Sequence, residues 1–178
     1  LLQLASAFRA KTKPMIIAAN KCDNTAGKGN IERLREQFPT HTIIPTSAVA
    51  ELALKEAAKH ELIDYTPGGK DYALTEKGEK EMSEQQLKGL EYIKANALSM
   101  EHGTGIQAVL NEVVFGILKR KAIHPGGVGK LEDSDGNVIP DCFLMKAEAT
   151  ALDFAYQLHT DFGKNFIKAI DVRTKLPI

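Results

Sequence analysis

The chain has 178 residues, 43% hydrophobic and 26% charged, a soluble globular composition with room for one large domain or two small ones. That composition excludes a disordered, collagen-like or coiled-coil protein. Lys plus Arg and Asp plus Glu balance at 23 each, so no overall field steers the molecule to nucleic acid or to a membrane surface.

Leu1, Leu2, Leu4, Ala5 and Phe8 follow helical spacing, so the sequence opens inside an amphipathic helix and reads as cut from a longer chain. Pro14 leads into Met15–Ala19, a continuous apolar run that predicts a fully buried parallel strand. The stretch 24–30 is turn-rich, and Asn30 is the expected N-cap of a short helix through Gln37 that buries Ile31, Leu34 and Phe38. Thr42–Ile44 gives a second strand. Strand, helix, strand at this spacing is the rhythm of an α/β unit, whose ligands bind beyond the carboxyl ends of the strands. The functional residues are therefore expected just after Ala19 and Ile44.

Ala48–Leu62 is rich in strong helix formers. Ile63–Leu74, with Tyr65, Tyr72 and a central Pro67-Gly68-Gly69, predicts a small hairpin or exposed loop. Ser83 and Gln86 have the spacing of a capping box, opening a helix that buries Leu87, Leu90, Ile93 and Leu98. Gly103–Gly105 breaks the pattern, as a linker or a hinge. Ile106, Val109, Leu110, Val113, Val114, Ile117 and Leu118 then recur as the buried stripe of one long helix. Lys119-Arg120-Lys121 reads as its solvated basic end.

Beyond it the composition shifts to Gly, Pro and Asp, which predicts a boundary near residue 122 and domains of 1–122 and 123–178. Asp133–Asn137 is a turn signal between two extended segments, followed by a strand at Cys142–Met145. Thr150–Thr160 is a helix with Leu152, Phe154, Ala155 and Leu158 inward. Gly163 stands as a C-cap, and Phe166–Ile170 as another strand.

Chemistry concentrates at the first strand's end, in Asn20-Lys21-Cys22-Asp23. A carboxylate there can accept two donors at once, and guanine presents an adjacent pair, N1–H and the 2-amino group, that adenine lacks. Asp23 is then expected to select guanine over adenine. Asn20 carries both donor and acceptor and can read a base edge or brace neighbouring loops, while the Lys21 stem can lie along the ring face. After the next strand, Thr46-Ser47-Ala48 supplies a tight turn whose backbone N–H groups can meet the guanine carbonyl oxygen, with close approach allowed by the small Ala48. The bland alternative makes Asn20 and Asp23 ordinary turn residues and Cys22 a packing residue.

NKxD at 20–23 and SA at 47–48 are the two guanine-reading motifs of the GTPase superfamily, in the right order. Phe143-Leu-Met-Lys, Asp153–Gly163, Asn165-Phe166 and Ala169–Lys175 resemble the TGS domain, a β-grasp, ubiquitin-like module. The whole resembles the Obg-like GTPases of the YchF-related archaeal and eukaryotic type. The resemblance implies an α/β fold: part of a P-loop GTPase G domain with a parallel sheet, a helical insertion at about 50–100, and a C-terminally incomplete TGS domain. It implies a base site of Asn20, Lys21, Asp23, Ser47 and Ala48, a GTP or GDP ligand, Mg²⁺ and GTP hydrolysis in the intact protein, and a translation-associated switch that meets the ribosome or ribosomal RNA through TGS. In the YchF branch proper the last guanine-reading residue is typically Glu, with relaxed or adenine preference, so Asp23 favours GTP.

A GxxxxGK[ST] phosphate loop and a DxxG segment are expected of a complete hydrolase, because phosphoryl transfer is catalysed by positioning and charge stabilisation. Gly126–Lys130 imitates the loop, but His124 stands at its first Gly and Leu131 at its magnesium-binding hydroxyl. Asp64–Gly68 imitates a DxPG switch with one residue too many. The expectation is a fragment lacking the P-loop half, inactive alone. The competing reading is a non-catalytic adaptor that uses TGS to dock protein or RNA. His41, His60, His102 and His124 have no ligand spacing with Cys22 or Cys142, so no metal site is expected. His159 near Asp161 suits a helix terminus better than acid/base work. Two distant cysteines and no long apolar run fit a cytoplasmic protein away from membranes.

Overall fold

The computed structural model describes residues 1–126, 132, 136, 137 and 141–178. They fall into two compact units, Leu1–Val113 and Val114–Ile178.

In the first unit, α1 (Leu2–Thr12) leads to β1 (Ile16–Ala19), α2 (Thr25–Gln37) and β2 (Thr42–Pro45). β1 and β2 pair in parallel, Ile16 opposite Thr42 and Ala19 opposite Pro45, so the chain leaves both strands at the same edge. The expected α/β unit is present, with two corrections. β1 is half-buried with Ala18 exposed, because β2 is its only strand neighbour among the described residues. The helix after it starts at Asn24 rather than Asn30: the Asn24 side chain accepts from Gly27 N–H at 2.7 Å, and the turn-rich stretch is the first half of α2. Of the expected apolar face, Ile31 is buried while Phe38 remains exposed.

α3 (Ala48–Lys59), N-capped by Ser47, is followed by a hairpin of β3 (Ile63–Asp64) and β4 (Ala73–Leu74). Two further helices, α4 (Glu76–Glu81) and α5 (Glu84–Ile93), come next. The Ser83–Gln86 capping box opens α5, which runs on as a π-helical turn over Lys94–Leu98. Leu54, Ile63, Leu90 and Leu98 make the core here, with Tyr65, Tyr72, Met82 and Ile93 packed around them. Each such side chain contributes about 1.5–3 kcal/mol, so this segment carries its own hydrophobic centre. Lys94 ties the hairpin to α5, 2.7 Å from Asp71 and over the Tyr72 ring at 5.6 Å, and holds the Asp71 carboxyl below the usual range.

The long helix expected after Gly105 exists as α6 (Ile106–Asn111) plus a π-helical turn over Glu112–Ile117, and neither has a buried residue. Ile106, Val109, Val113, Val114 and Ile117 are half-buried while Leu110 and Leu118 are exposed, so the apolar stripe is only partly covered by the described residues.

The second unit contains β5 (Arg120–Ile123) paired antiparallel with β6 (Phe143–Lys146), then α7 (Ala151–Leu158) and α8 (Thr160–Lys164). Arg120 and Lys121 lie in a strand, not at a solvated helix end, and Lys121 Nζ donates to the Ala149 carbonyl. The 120–123 strand pairs within this unit. Residues 133–135 of the expected turn lie outside the described residues. Thr150 caps α7 in a capping box with Asp153, and Phe143 meets Phe154 edge to face with centroids 5.5 Å apart. Gly163 is not a C-cap: it sits inside α8, where a Cβ would meet the Tyr156 ring at 2.2 Å. The strand expected at 166–170 reduces to one bridge, Ile170 with Pro177.

Candidate functional site

The five residues expected to form a site stand in two loops at the shared carboxyl edge of β1 and β2. Asn20, Lys21 and Asp23 follow β1, and Ser47 and Ala48 follow β2. Parallel pairing brings the loops side by side, and hydrogen bonds fasten them. Thr46 N–H donates to the Ala19 carbonyl at 2.8 Å, and Cys22 N–H donates to the Thr46 carbonyl at 3.0 Å.

Asn20 completes the join from its side chain. Its Oδ1 accepts from its neighbour Lys21 N–H at 2.8 Å and from Ala48 N–H, across the two loops, at 3.1 Å. Its Nδ2 donates to no protein acceptor among the described residues. Cys22 is 1% exposed, its Sγ 3.0 Å from the Ala19 carbonyl, and burial pushes its thiol up. It packs, as the bland reading of that position had it. Asp23 is half-buried, and its carboxylate has no hydrogen-bond or ion-pair partner among the described residues.

Lys21 has φ +65°, a left-handed bend that a lysine adopts only at a cost of about 1–2 kcal/mol. The neighbouring α2 makes room for it. At Gly27 a Cβ would lie 2.0 Å from the Lys21 carbonyl oxygen. In an ordinary helix Gly→Ala gains about 1 kcal/mol, but here the collision is with backbone. Gly27→Ala is therefore expected to lower stability by about 1–3 kcal/mol, read by denaturant unfolding; a gain would show that the loop yields freely.

The second loop is held from below. Ser47, 1% exposed, caps α3 by accepting from Ala50 N–H at 3.4 Å, and its own N–H donates to the Thr104 carbonyl at 2.8 Å. The two N–H groups expected to face a ligand therefore already have acceptors in the protein, Thr104 for Ser47 and Asn20 for Ala48. Gly105, at φ +76°, permits this closeness, since a Cβ there would lie 2.0 Å from the Pro45 carbonyl oxygen.

Three contributors escape a reading of the sequence. Glu51, in the first turn of α3, is buried and its Oε2 accepts from Tyr65 Oη at 2.8 Å and from Thr104 Oγ1. Thr104, 0% exposed, thus joins Glu51 to Ser47. Burial and the bond to Glu51 push the Tyr65 hydroxyl up to about 12. Tyr92 of α5 donates from its hydroxyl to the Asp23 carbonyl at 3.1 Å. The only signals available were helical positions and a Gly-x-Gly, which are equally at home in solvated structure.

The remaining candidates fall elsewhere. Asp64–Gly68 is the end of β3 and the turn beyond it. Of Gly126–Leu131, residues 127–131 lie outside the described residues. His159 links α7 to α8, its Nδ1 accepting from Asp161 N–H at 3.2 Å. Two clefts, of about 580 Å³ along α7 and α8 and about 550 Å³ around Asp64–Ala73, are lined by none of the five residues. Among the described residues no helix is long and apolar enough to cross a membrane.

Residues 18–126, which include both loops and all their supports, match the family model described as Obg-like GTPase YGR210-like, G4 motif-containing domain. Residues 132–177 match the TGS domain, a β-grasp fold. An uncharacterized GTP-binding protein of Methanocaldococcus jannaschii is 41% identical over 179 residues, covering 100% of this chain and 44% of that protein. The chain thus spans under half the length of the curated relative it matches. No solved structure matches it. With the parallel β1–β2 edge inside the first match and β6, α7 and α8 inside the second, the chain belongs to the Obg-like GTPase family, in its YGR210-like group, and joins that group's G4 motif-containing domain to a TGS domain.

Proposed function

We propose that this chain is the guanine-reading part and TGS module of a cytoplasmic GTP-binding protein, with Asn20, Lys21, Asp23, Ser47 and Ala48 forming the base site. The observation that carries this reading is the Asn20 Oδ1 bond to Ala48 N–H at 3.1 Å, which fixes the two loops as one edge beside the unpaired Asp23 carboxylate. Asp23 accepts guanine N1–H and the 2-amino group, one on each oxygen. The Lys21 stem covers one ring face. Ala48, whose N–H stays with Asn20, presents only a methyl group and so lets the guanine carbonyl edge come close, while Ser47 holds that turn through its cap on α3 and its bond to Thr104.

The phosphate chemistry belongs to residues outside this chain. GTP hydrolysis uses Mg²⁺ to offset charge on the transferring phosphoryl group. The protein groups that hold that ion in P-loop GTPases, a phosphate-loop Ser/Thr and an Asp, have no counterpart in proper form here, since Leu131 stands at the hydroxyl position and Asp64–Gly68 carries one residue too many. In the intact protein the base site serves a GTPase switch, and the TGS module is its contact with the ribosome or ribosomal RNA.

Calorimetric titration of the full-length protein with GDP and ADP tests the reading. GDP is expected to bind at least about 100-fold more tightly, because a site built to satisfy donors rejects a base that lacks them. Equal affinity for the two, or binding of neither, would overturn it in favour of an adaptor.

A further inference from the structure

We infer that Tyr92 is a positioning residue for base recognition, fixing the main chain of Asp23 so that its carboxylate keeps the orientation guanine requires. The inference rests on Asp23 being the base-reading carboxylate, as proposed above. Its starting point is the bond from Tyr92 Oη to the Asp23 carbonyl at 3.1 Å, made across 69 residues of sequence. Among the described residues that carbonyl accepts from nothing else. It lies just ahead of the Asn24 cap, outside the hydrogen-bond ladder of α2.

The residues on either side of Asp23 are secured in other ways. Cys22 is buried and bonded through its N–H to Thr46, and Asn24 is engaged with Gly27. Asp23 itself has only the carbonyl as a handle. With Cys22 fixed on one side and this carbonyl on the other, the Asp23 backbone and the Cα–Cβ direction it sets are held from both ends. Paired contacts to two adjacent donors tolerate only about 10–20° of such error.

Tyr92 is well mounted for this task. Leu90 before it is 5% exposed, and Ala97 and Leu98 after it are 0% and 2% exposed, so core packing fixes the backbone on both sides. Asn96 Nδ2 donates to the Tyr92 carbonyl at 3.1 Å. The π-helical turn over Lys94–Leu98 changes the helical register immediately after Tyr92. Such turns lie frequently at functional sites. The Tyr92 side chain is 49% exposed and leaves the core to reach the loop, so its hydroxyl contributes little to the fold itself.

Tyr92→Phe removes the hydroxyl and keeps the ring. The test measures GDP and IDP affinity of the full-length variant, with the melting temperature of the nucleotide-free protein alongside. Inosine lacks the 2-amino group and so makes only one of the two Asp23 contacts. GDP binding is expected to weaken about two- to tenfold and IDP binding less, so the GDP to IDP ratio falls while the melting temperature holds. An unchanged ratio overturns the inference, whether or not the melting temperature moves, because a merely structural tyrosine affects both ligands alike. Asp23→Asn in the same assay separates the two levels. Guanine preference lost there but intact in Tyr92→Phe overturns the Tyr92 role alone. GDP affinity unchanged by Asp23→Asn overturns the base-site reading and the Tyr92 role with it.

Discussion

Asp23→Asn in the full-length protein is expected to weaken GDP binding about 10- to 100-fold and to make XDP the preferred diphosphate. Each oxygen of the carboxylate faces one guanine donor, and an amide replaces one acceptor with a donor. Its NH₂ then opposes the 2-amino group, an unpaired clash of like groups. Xanthine carries a carbonyl at that position, so the same amide accepts from N1–H and donates to the new oxygen. A two-point contact to a base edge is worth about 1–3 kcal/mol of discrimination, which sets the range. The fold should be untouched, because the Asp23 carboxylate has no protein partner among the described residues. Competition of GDP and XDP against a fluorescent guanine nucleotide reads the outcome. Asp23→Ala is the control and should lose GDP without gaining XDP. Unchanged GDP affinity in Asp23→Asn would remove the residue from the site.

The strand edge was legible because it is written in short-range chemistry. An apolar run at 15–19, a second at 42–44 and polar residues straight after each give the parallel pair and the position of the loops. Caps were legible for the same reason, Ser83 with Gln86 and Thr150 as a helix start. The misreadings share a different cause. Asn30 looked like a cap because Gly27 and Gly29 read as turn, while Gly27 is there to pass the Lys21 carbonyl and Asn24 does the capping. Gly163 failed in the same way, clearing space for the Tyr156 ring rather than ending a helix. A glycine states that something comes close and does not state what. The apolar stripe from Ile106 to Leu118 is periodic as expected, yet periodicity reports only that a face can be buried. The supports of the site were the least legible, because the Glu51, Thr104 and Tyr92 contacts are long-range and made by residue types common on any helix or turn.

Glu51→Ala is expected to cost the folded state about 2–4 kcal/mol, more than any other single change at the site. The carboxylate accepts two hydroxyl donors, Tyr65 and Thr104, and removal of one acceptor strands both in a place that water does not reach freely. Thr104 loses its anchor, and its carbonyl is what holds Ser47 N–H at 2.8 Å, so the second loop loosens as well. Glu51→Gln keeps an oxygen acceptor of the same reach and forfeits only the charge at the N-terminal end of α3, where a helix dipole favours an anion by about 0.3–1 kcal/mol. It should therefore recover most of the stability. The Tyr65 hydroxyl supplies an independent check through pH. Its native value of about 12 lies above the ordinary 10, so the native state keeps a proton that the unfolded state releases first. The contribution is whole below pH 10 and disappears as the pH rises through about 12. The stability difference between wild type and Tyr65→Phe, measured by urea unfolding, should be flat from pH 7 to 9.5 and shift against the wild type above pH 10. A constant difference up to pH 12 would mean that the Tyr65 hydroxyl is neither buried nor bonded to Glu51 in solution, and Glu51→Ala should then cost no more than the loss of one threonine bond.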